Sequence, residues 1–493
     1  MKRSKFNLSY TKLLSCDLGE LVPVGLTEVL PGDSFRMSTS ALVRCSALLA
    51  PVMHAVHVGI HHWYVPNRIV WNNWENFITG GPDGLNADTV PTLTLGGGSG
   101  AAVGSLADYL GIPTGVNNLV VNALPFRGYA KIWNEYYRDQ DLQTPLVVST
   151  ANGPDTTTSV ALQNCAWEKD YFTSSRPWEQ KGPSVSIPLT GNAPVVRVSG
   201  GVGGTLFIGG GNTAVPSGGT LETKGSGKFG RAGQSEQLSY DPIGSLNADL
   251  SGVSAVTINA LRQASAIQRY QEARARYGSR YTEYLAYLGV TSSDARLQRP
   301  EYLGGGRQTL QFSEIVQTAE GTNPVGELRG HGITALKSNN FQCFFEEHGF
   351  VFSLMFVRPK TIYERGLFRH WNRRTKLDYW QRELQHIGQQ PVLNKEVYAA
   401  HGTPDGTFGY QDRYDEYRRS ESLVAGEFRT SLQDYWHFAR IFGSAPALNS
   451  TFVSCVPAER SFAVPAEDVL QIHARHHIGA RRLVASVGTS FLA

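Results

Sequence analysis

Residues 19–81 read GELVPVGLTEVLPGDSFRMSTSALVRCSALLAPVMHAVHVGIHHWYVPNRIVWNNWENFITGG. Pro31, Gly32 and Asp33 form a turn cluster. Two strands are predicted after it, over about 34–46 and 53–65. The second is rich in β-branched and aromatic residues, and its alternate positions face opposite sides of a sheet. Pro66 and Asn67 end it, because proline offers no N–H to a ladder. Trp71, Trp74 and Phe77 then recur at a spacing of three, one face of a short helix that Gly80 and Gly81 stop.

The wider composition agrees with a β-rich chain. Of 493 residues, 52 are glycine and 24 proline, which favours many loops between strands over a helical bundle. The net charge is +3, so any nucleic-acid contact must come from local patches. The five cysteines (Cys16, Cys45, Cys165, Cys343, Cys455) are odd in number and scattered, as reduced and mostly buried thiols would be. No apolar run approaches the ~20 residues of a membrane helix, and no membrane insertion is expected.

Further elements follow from local signals. Ser105 caps a short helix ended by Gly111, and 119–122 reads as a strand. The run PFRGYAKIWNEYYRDQDLQTPL (125–146) opens with a proline suited to a first helical turn. From Gly191 to Gly233 about fourteen glycines occur and few large apolar residues, so 190–256 reads as a surface insertion. The run TINALRQASAIQRYQEARARY (257–277) is a helix closed by Gly278, and 281–288 is a second. A strand is predicted over 309–317. FQCFFEEHGFVFSLMFVRPK (341–360) reads as a hairpin turning at Glu347-His348-Gly349, and 469–480 as a last strand.

Several of these blocks resemble one family. GEL-P, EVLPGDSF, LAPVMH, VPNR and W--WE-FITGG open the chain in the order seen in major capsid proteins of Microviridae, the gokushovirus-like phages most of all. INALR-A--IQ-Y-E--AR-G-RY-E, then GV-S-DARLQRPEYLGG and RPK-IY--G, continue the resemblance. It implies a mainly β fold: a single eight-stranded antiparallel viral jelly roll, 19–493, with long inter-strand insertions carrying short helices. A basic N-terminal arm, 1–18, precedes it, and 257–303 is a helical insertion. The implied function is a major capsid protein. Sixty copies would assemble through pentamers into a T=1 shell around a circular single-stranded DNA genome. The implied partners are that genome, a small basic DNA-binding protein, a scaffold protein and a host surface receptor. The implied place is the virion, assembled in the cytoplasm of a bacterial host. A phage spike or lectin-like receptor-binding jelly roll is the alternative.

The residues offer no catalytic constellation, and neither an enzyme nor a cofactor is expected. Gly225-Ser226-Gly227-Lys228 is followed by Phe229 and fails the phosphate-loop pattern. His54, His57, His61 and His62 fall at strand spacings that do not converge on a metal. The group His473, His476 and His477 reads better as a nucleic-acid or intersubunit contact.

The remaining signal is basic. Lys2, Arg3, Lys5, Arg481 and Arg482 are expected to touch phosphates of the genome without reading sequence. Arg358 to Lys376 form a second cluster, interleaved with Tyr363, Phe368 and Trp371. It suits either nucleic-acid contact or intersubunit ion pairs. Tyr281 and Tyr302 are expected at a subunit interface. Leu206, Phe207 and Ile208 are expected as the core of a threefold protrusion built by the insertion.

Overall fold

The computed structural model describes residues 3–96, 100–185, 258–278, 280–318 and 325–486, with the backbone of seven short strand segments between 195 and 248. The chain divides into two compact units, 1–181 with 272–493, and 182–271.

Ten strands build the main sheet of the larger unit: β1 (Ser4–Asn7), β2 (Tyr10–Cys16), β3 (Val22–Val29), β4 (Ser34–Cys45), β5 (Val56–Pro66), β6 (Glu301–Val316), β7 (Leu328–Lys337), β8 (Phe341–Phe344), β9 (Gly349–Pro359) and β10 (Leu470–Arg482). Every pairing is antiparallel. The order is β1–β10–β4–β7–β6–β5–β9–β3, with β2 continuing β1 along β10 and β8 continuing β7 along β4. Eight rows of strand result, as in a jelly-roll type fold. The residues read as a basic arm supply two of the strands, β1 and β2.

The sheet curls because β6 serves both halves. Its Glu301–Leu310 part pairs with β5, and its Gln311–Val316 part pairs with β7. Two layers therefore face each other. Val22, Val24, Val56, Val58, Ile60, Met355 and Val357 of one layer pack against Ala41, Val43, Leu470, Ile472 and Ala474 of the other. Each large aliphatic side chain so buried contributes about 1.5–3 kcal/mol.

Two sequence expectations need correction. The strand expected from 309 begins at Glu301 and runs through Gly304, Gly305 and Gly306. A Cβ at Gly305 would lie 2.3 Å from the carbonyl oxygen of Ile60, so the neighbouring strand comes too close for any side chain. The segment 341–360 is not a hairpin: β8 pairs with β4, whereas β9 pairs with β5 and β3. Phe345 separates them. It is buried between the rings of Phe35 and Tyr64, at 5.2 and 4.7 Å, and carries the chain from one layer to the other.

Short helices decorate this frame. α1 (Trp74–Thr79) ends on Gly80 at φ +86°, and α2 (Leu106–Tyr109) is capped by the Ser105 side chain. α3 (Leu124–Ile132) continues as a wider turn to Tyr137. α4 (Ile258–Tyr277) and α5 (Tyr281–Tyr287) follow the insertion.

The two layers are finished differently on their outer faces. The β5–β9 layer carries a second apolar core, in which Trp63, Val65, Phe352, Leu354 and Phe356 pack under Trp71, Phe126, Tyr129, Ile132 and Trp133. Among the described residues, the outer face of the β10–β4 layer has no such cover: His473, Arg475, His477, Arg36, Arg44 and Lys337 stand exposed on it.

Candidate nucleic-acid interface

The bare face follows from strict alternation in β4 and β10. Along β10, Leu470, Ile472, Ala474, His476, Ile478 and Ala480 are buried, while Gln471, His473, Arg475, His477, Gly479 and Arg481 point outward. Along β4, Arg36, Leu42 and Arg44 are exposed. The ladder places these side chains in rows. Lys5 is opposite Arg481, Thr11 opposite Arg475, and Leu13 opposite His473. Across β10 and β4, His477 meets Ser38, Arg475 meets Ser40 and His473 meets Leu42. On the far side, Lys337 pairs with Ser40 and Gln342 with Arg36.

Charge on this layer is one-sided. β1, β2, β4, β7, β8 and β10 together hold nine lysines and arginines and no aspartate or glutamate. The whole chain holds 42 acidic residues, so the exclusion is local. A depression of about 970 Å³ opens on the face, lined by Lys5, Asn7, Arg36, Ser38, His477 and Arg481 among others. Arg329 pairs with Glu327 and Arg482 with Asp33, but among the described residues Lys5, Arg36, Arg44, Lys337, Arg475 and Arg481 have no carboxylate partner and are left to act on an external anion.

The residues named from sequence separate on inspection. Lys5 and Arg481 come together as a cross-strand pair. Arg3 sits at the rim, donating to the Gly32 carbonyl at 3.0 Å and the Ser34 hydroxyl at 2.8 Å. Lys2 lies outside the described residues. Arg482 turns the other way: it pairs with buried Asp33 at 3.0 Å, donates to the Glu28 carbonyl and covers the Phe35 ring. That set of partners makes it a clamp of the fold, not part of the face.

The histidine group divides too. His473 and His477 lie on the face, and His476 is wholly buried beneath it. Its Nε2–H donates to the Val24 carbonyl at 3.0 Å, and the Thr39 hydroxyl donates to Nδ1 at 2.8 Å. Burial pulls its pKa down to about 4. Lys12 is also turned inward, between the carbonyls of Pro23 and Tyr109, and burial lowers its pKa to about 8.

The 358–376 cluster is largely spent within the chain. Arg369 pairs with Glu396 at 2.9 Å, Arg373 lies over the Tyr417 ring at 4.3 Å, and Arg358 donates to the Ala166 carbonyl. Tyr281 is exposed on α5; Tyr302 is half exposed and packs against Trp63 at 4.9 Å. They stand on separate elements. Phe207–Ile208 forms a strand between Thr213–Ala214 and Leu238–Ser239, and Leu206 lies outside the described residues. All five cysteines are free, and four are buried.

Sequence reasoning missed Arg36, Arg44 and Lys337. The signal was present as arginines at alternate positions of a predicted strand, SFRMSTSALVRC, but it becomes a patch only when β10 is laid beside it.

The profile of the capsid protein (F protein) family matches residues 1–492. The chain is 39% identical to capsid protein VP1 of Bdellovibrio phage phiMH2K over 487 residues, covering 94% of this chain and 90% of the relative. It is 36% identical to capsid protein VP1 of Chlamydia phage 1, over 94% and 91% of the two chains. It is 32% identical to capsid protein VP1 of Spiroplasma virus 4, over 94% and 90%. A sheet face whose strands hold no acidic residue, on a jelly-roll type frame, therefore sits in a structural protein of virus particles, not in an enzyme. The chain belongs to the capsid protein (F protein) family of the Microviridae. Among the described residues no helix is long and apolar enough to cross a membrane.

Proposed function

We propose that this capsid protein closes a T=1 shell of sixty copies, assembled through pentamers in the host cytoplasm around a single-stranded DNA genome. The outer face of the β10–β4 layer is the surface turned to that genome. The observation behind this reading is the contrast between the two layers: one outer face is buried under an apolar core, and the other, among the described residues, is uncovered and cationic, its strands holding no aspartate or glutamate. A shell subunit must accept nucleic acid without selecting sequence, and exposed lysine and arginine on a flat face do that through phosphates alone. A scaffold protein and a small basic DNA-binding protein are compatible partners, and Tyr281 and Tyr302 remain proposed contacts between subunits.

Replacing Lys5, Arg36, Lys337, Arg475 and Arg481 with Gln tests this. Shells are expected to form with at least tenfold less packaged DNA, read from the ratio of nucleic-acid to protein absorbance of purified particles. Binding to oligonucleotides should lose about 0.7 in salt slope for each phosphate contact removed. Particles of the fivefold variant with full DNA content would defeat the proposal.

The insertion, 190–256, is proposed to stand on the outer surface and to meet the host, with Leu206, Phe207 and Ile208 shared among three copies. Its glycine content makes ordering costly, about 1–2 kcal/mol per residue. Deleting 209–230 is expected to leave particle yield unchanged and to lower adsorption to host cells. Normal adsorption by the shortened particle would remove the attachment role.

A further inference from the structure

The basic face is not uniformly polar. At its centre Leu13, His473 and Leu42 form one continuous row across β2, β10 and β4, in direct cross-strand register. Leu13 is 75% exposed and Leu42 is 40% exposed. The next rows are cationic or polar: Thr11, Arg475, Ser40 and Lys337 on one side, Ser15, Gln471 and Arg44 on the other. An exposed leucine pair gains nothing from a phosphate. It does gain from a flat, weakly hydrated ring, and an imidazole between two leucines widens that platform.

Spacing supports the same ligand. Outward side chains along β10 repeat about every 6.6 Å, two residues of strand rise. That repeat is comparable to the phosphate spacing of an unstacked nucleic-acid strand. The six outward positions from Gln471 to Arg481 alternate in chemistry: Arg475 and Arg481 offer charge, His473 and His477 offer rings. Gly479 offers open surface, since a Cβ there would meet nothing nearer than the Arg36 carbonyl at 4.0 Å. A base can lie flat over it.

Resting on the reading of this face as the genome-facing surface, we propose that β10 is a single-strand track, with Leu13, His473 and Leu42 as its base-stacking platform. Phosphates sit on Arg475 and Arg481, flanked by Lys5 and Lys337. The track spans about 33 Å and holds about five nucleotides. A duplex hides its base faces and would leave the platform uncovered, so the site selects single strands by chemistry that charge alone does not supply.

The test uses the full-length chain before assembly and fluorescently labelled oligothymidylates of graded length, with a duplex of equal charge and poly-glutamate as comparison probes. Affinity is expected to rise with length and flatten near five nucleotides, and the single strand should bind at least tenfold more tightly than the duplex. A variant carrying Leu13→Ser, Leu42→Ser and His473→Ala should lose about tenfold in single-strand affinity with its salt slope and duplex affinity unchanged. Arg475→Gln should weaken both nucleic acids and reduce the salt slope. All these positions are exposed, and circular dichroism together with shell formation checks that the variants fold. Equal binding of single strand and duplex, unchanged affinity in the triple variant, or competition by poly-glutamate as strong as by DNA would overturn the stacking platform. Failure of the parent chain to bind either nucleic acid would instead overturn the underlying assignment of the face.

Discussion

Acidification from pH 6.5 to pH 4 is expected to cost this protein most of its stability, because His54, His62 and His476 are buried, and His61 is partly buried, in neutral form. Burial lowers His54, His61 and His476 to about 4 and His62 to about 3, from an ordinary value of 6.5. The geometry is that of neutral rings. His62 is held between the hydroxyls of Ser353 and Ser338 at 2.9 and 3.0 Å, and His54 reaches the Lys360 carbonyl at 2.7 Å. Cations nearby oppose protonation further: Arg358 beside His61, Arg460 and Lys360 beside His54, and Lys12 beside His476.

The sign follows from linkage. Below pH 6.5 the unfolded chain takes up protons that the native chain refuses, so stability falls until the native values are reached. Each histidine contributes about 1.4 kcal/mol per pH unit crossed, and even half of the summed loss approaches the stability of an ordinary domain. Melting temperature should drop steeply between pH 6.5 and 4. His62→Asn should flatten part of that drop while lowering stability at pH 7, since the serines lose a ring that fits them. A melting temperature unchanged down to pH 4.5 would contradict the buried neutral assignment.

What was legible in the sequence was local. β4 and β10 were visible because they alternate along their length, and β5 because it is rich in β-branched and aromatic residues and ends at Pro66. Helix ends were visible because Gly80, Gly111 and Gly278 adopt positive φ. β7, LRGHGITALK, was missed because Gly330 and Gly332 interrupt its alternation. Those glycines answer to distant neighbours: a Cβ at Gly330 would lie 2.7 Å from the Ala50 carbonyl and one at Gly332 3.0 Å from the Cys45 sulfur. The site behaves in the same way. Lys5 and Arg481 were chosen from the two ends of the chain and do meet, but Arg482, one residue on, faces the opposite side. One step along a strand reverses a side chain, so a list of cations from sequence mixes surface with clamp until register is known.

Removing Arg127 is expected to cost about 3–5 kcal/mol, the usual consequence of leaving one charge of a buried pair alone. Arg127 on α3 and Asp155 are both fully buried, with Nε 2.8 Å from the carboxylate. The guanidinium also donates to the carbonyls of Val70 at 3.2 Å and Ala151 at 3.0 Å, tying α3 to the ends of two loops. Asp155 accepts from the backbone N–H groups of Thr157 and Thr158 and from the Thr158 hydroxyl at 2.6 Å. Burial alone would raise its pKa, but the hydroxyl and backbone donors of Thr158, the N–H of Thr157 and the Arg127 guanidinium outweigh that and hold it at about 2. Arg127→Met keeps the aliphatic length and removes every donor, so Asp155 must lose its charge or admit water, and the cover over the β5–β9 layer loosens. Arg127→Lys should recover little, because one ammonium cannot reach three acceptors in the plane that the guanidinium serves. Chemical denaturation measures both variants, and a loss below about 1 kcal/mol for Arg127→Met would show that the pair is dispensable. The pH dependence separates this effect from that of the histidines. A carboxylate with a depressed native pKa contributes stability above its unfolded value near 4, and that contribution is lost only as pH falls toward 2. Between pH 7 and 4.5 the parent chain should therefore weaken through its histidines, and its margin over Arg127→Met should narrow as the variant's buried Asp155 takes up a proton.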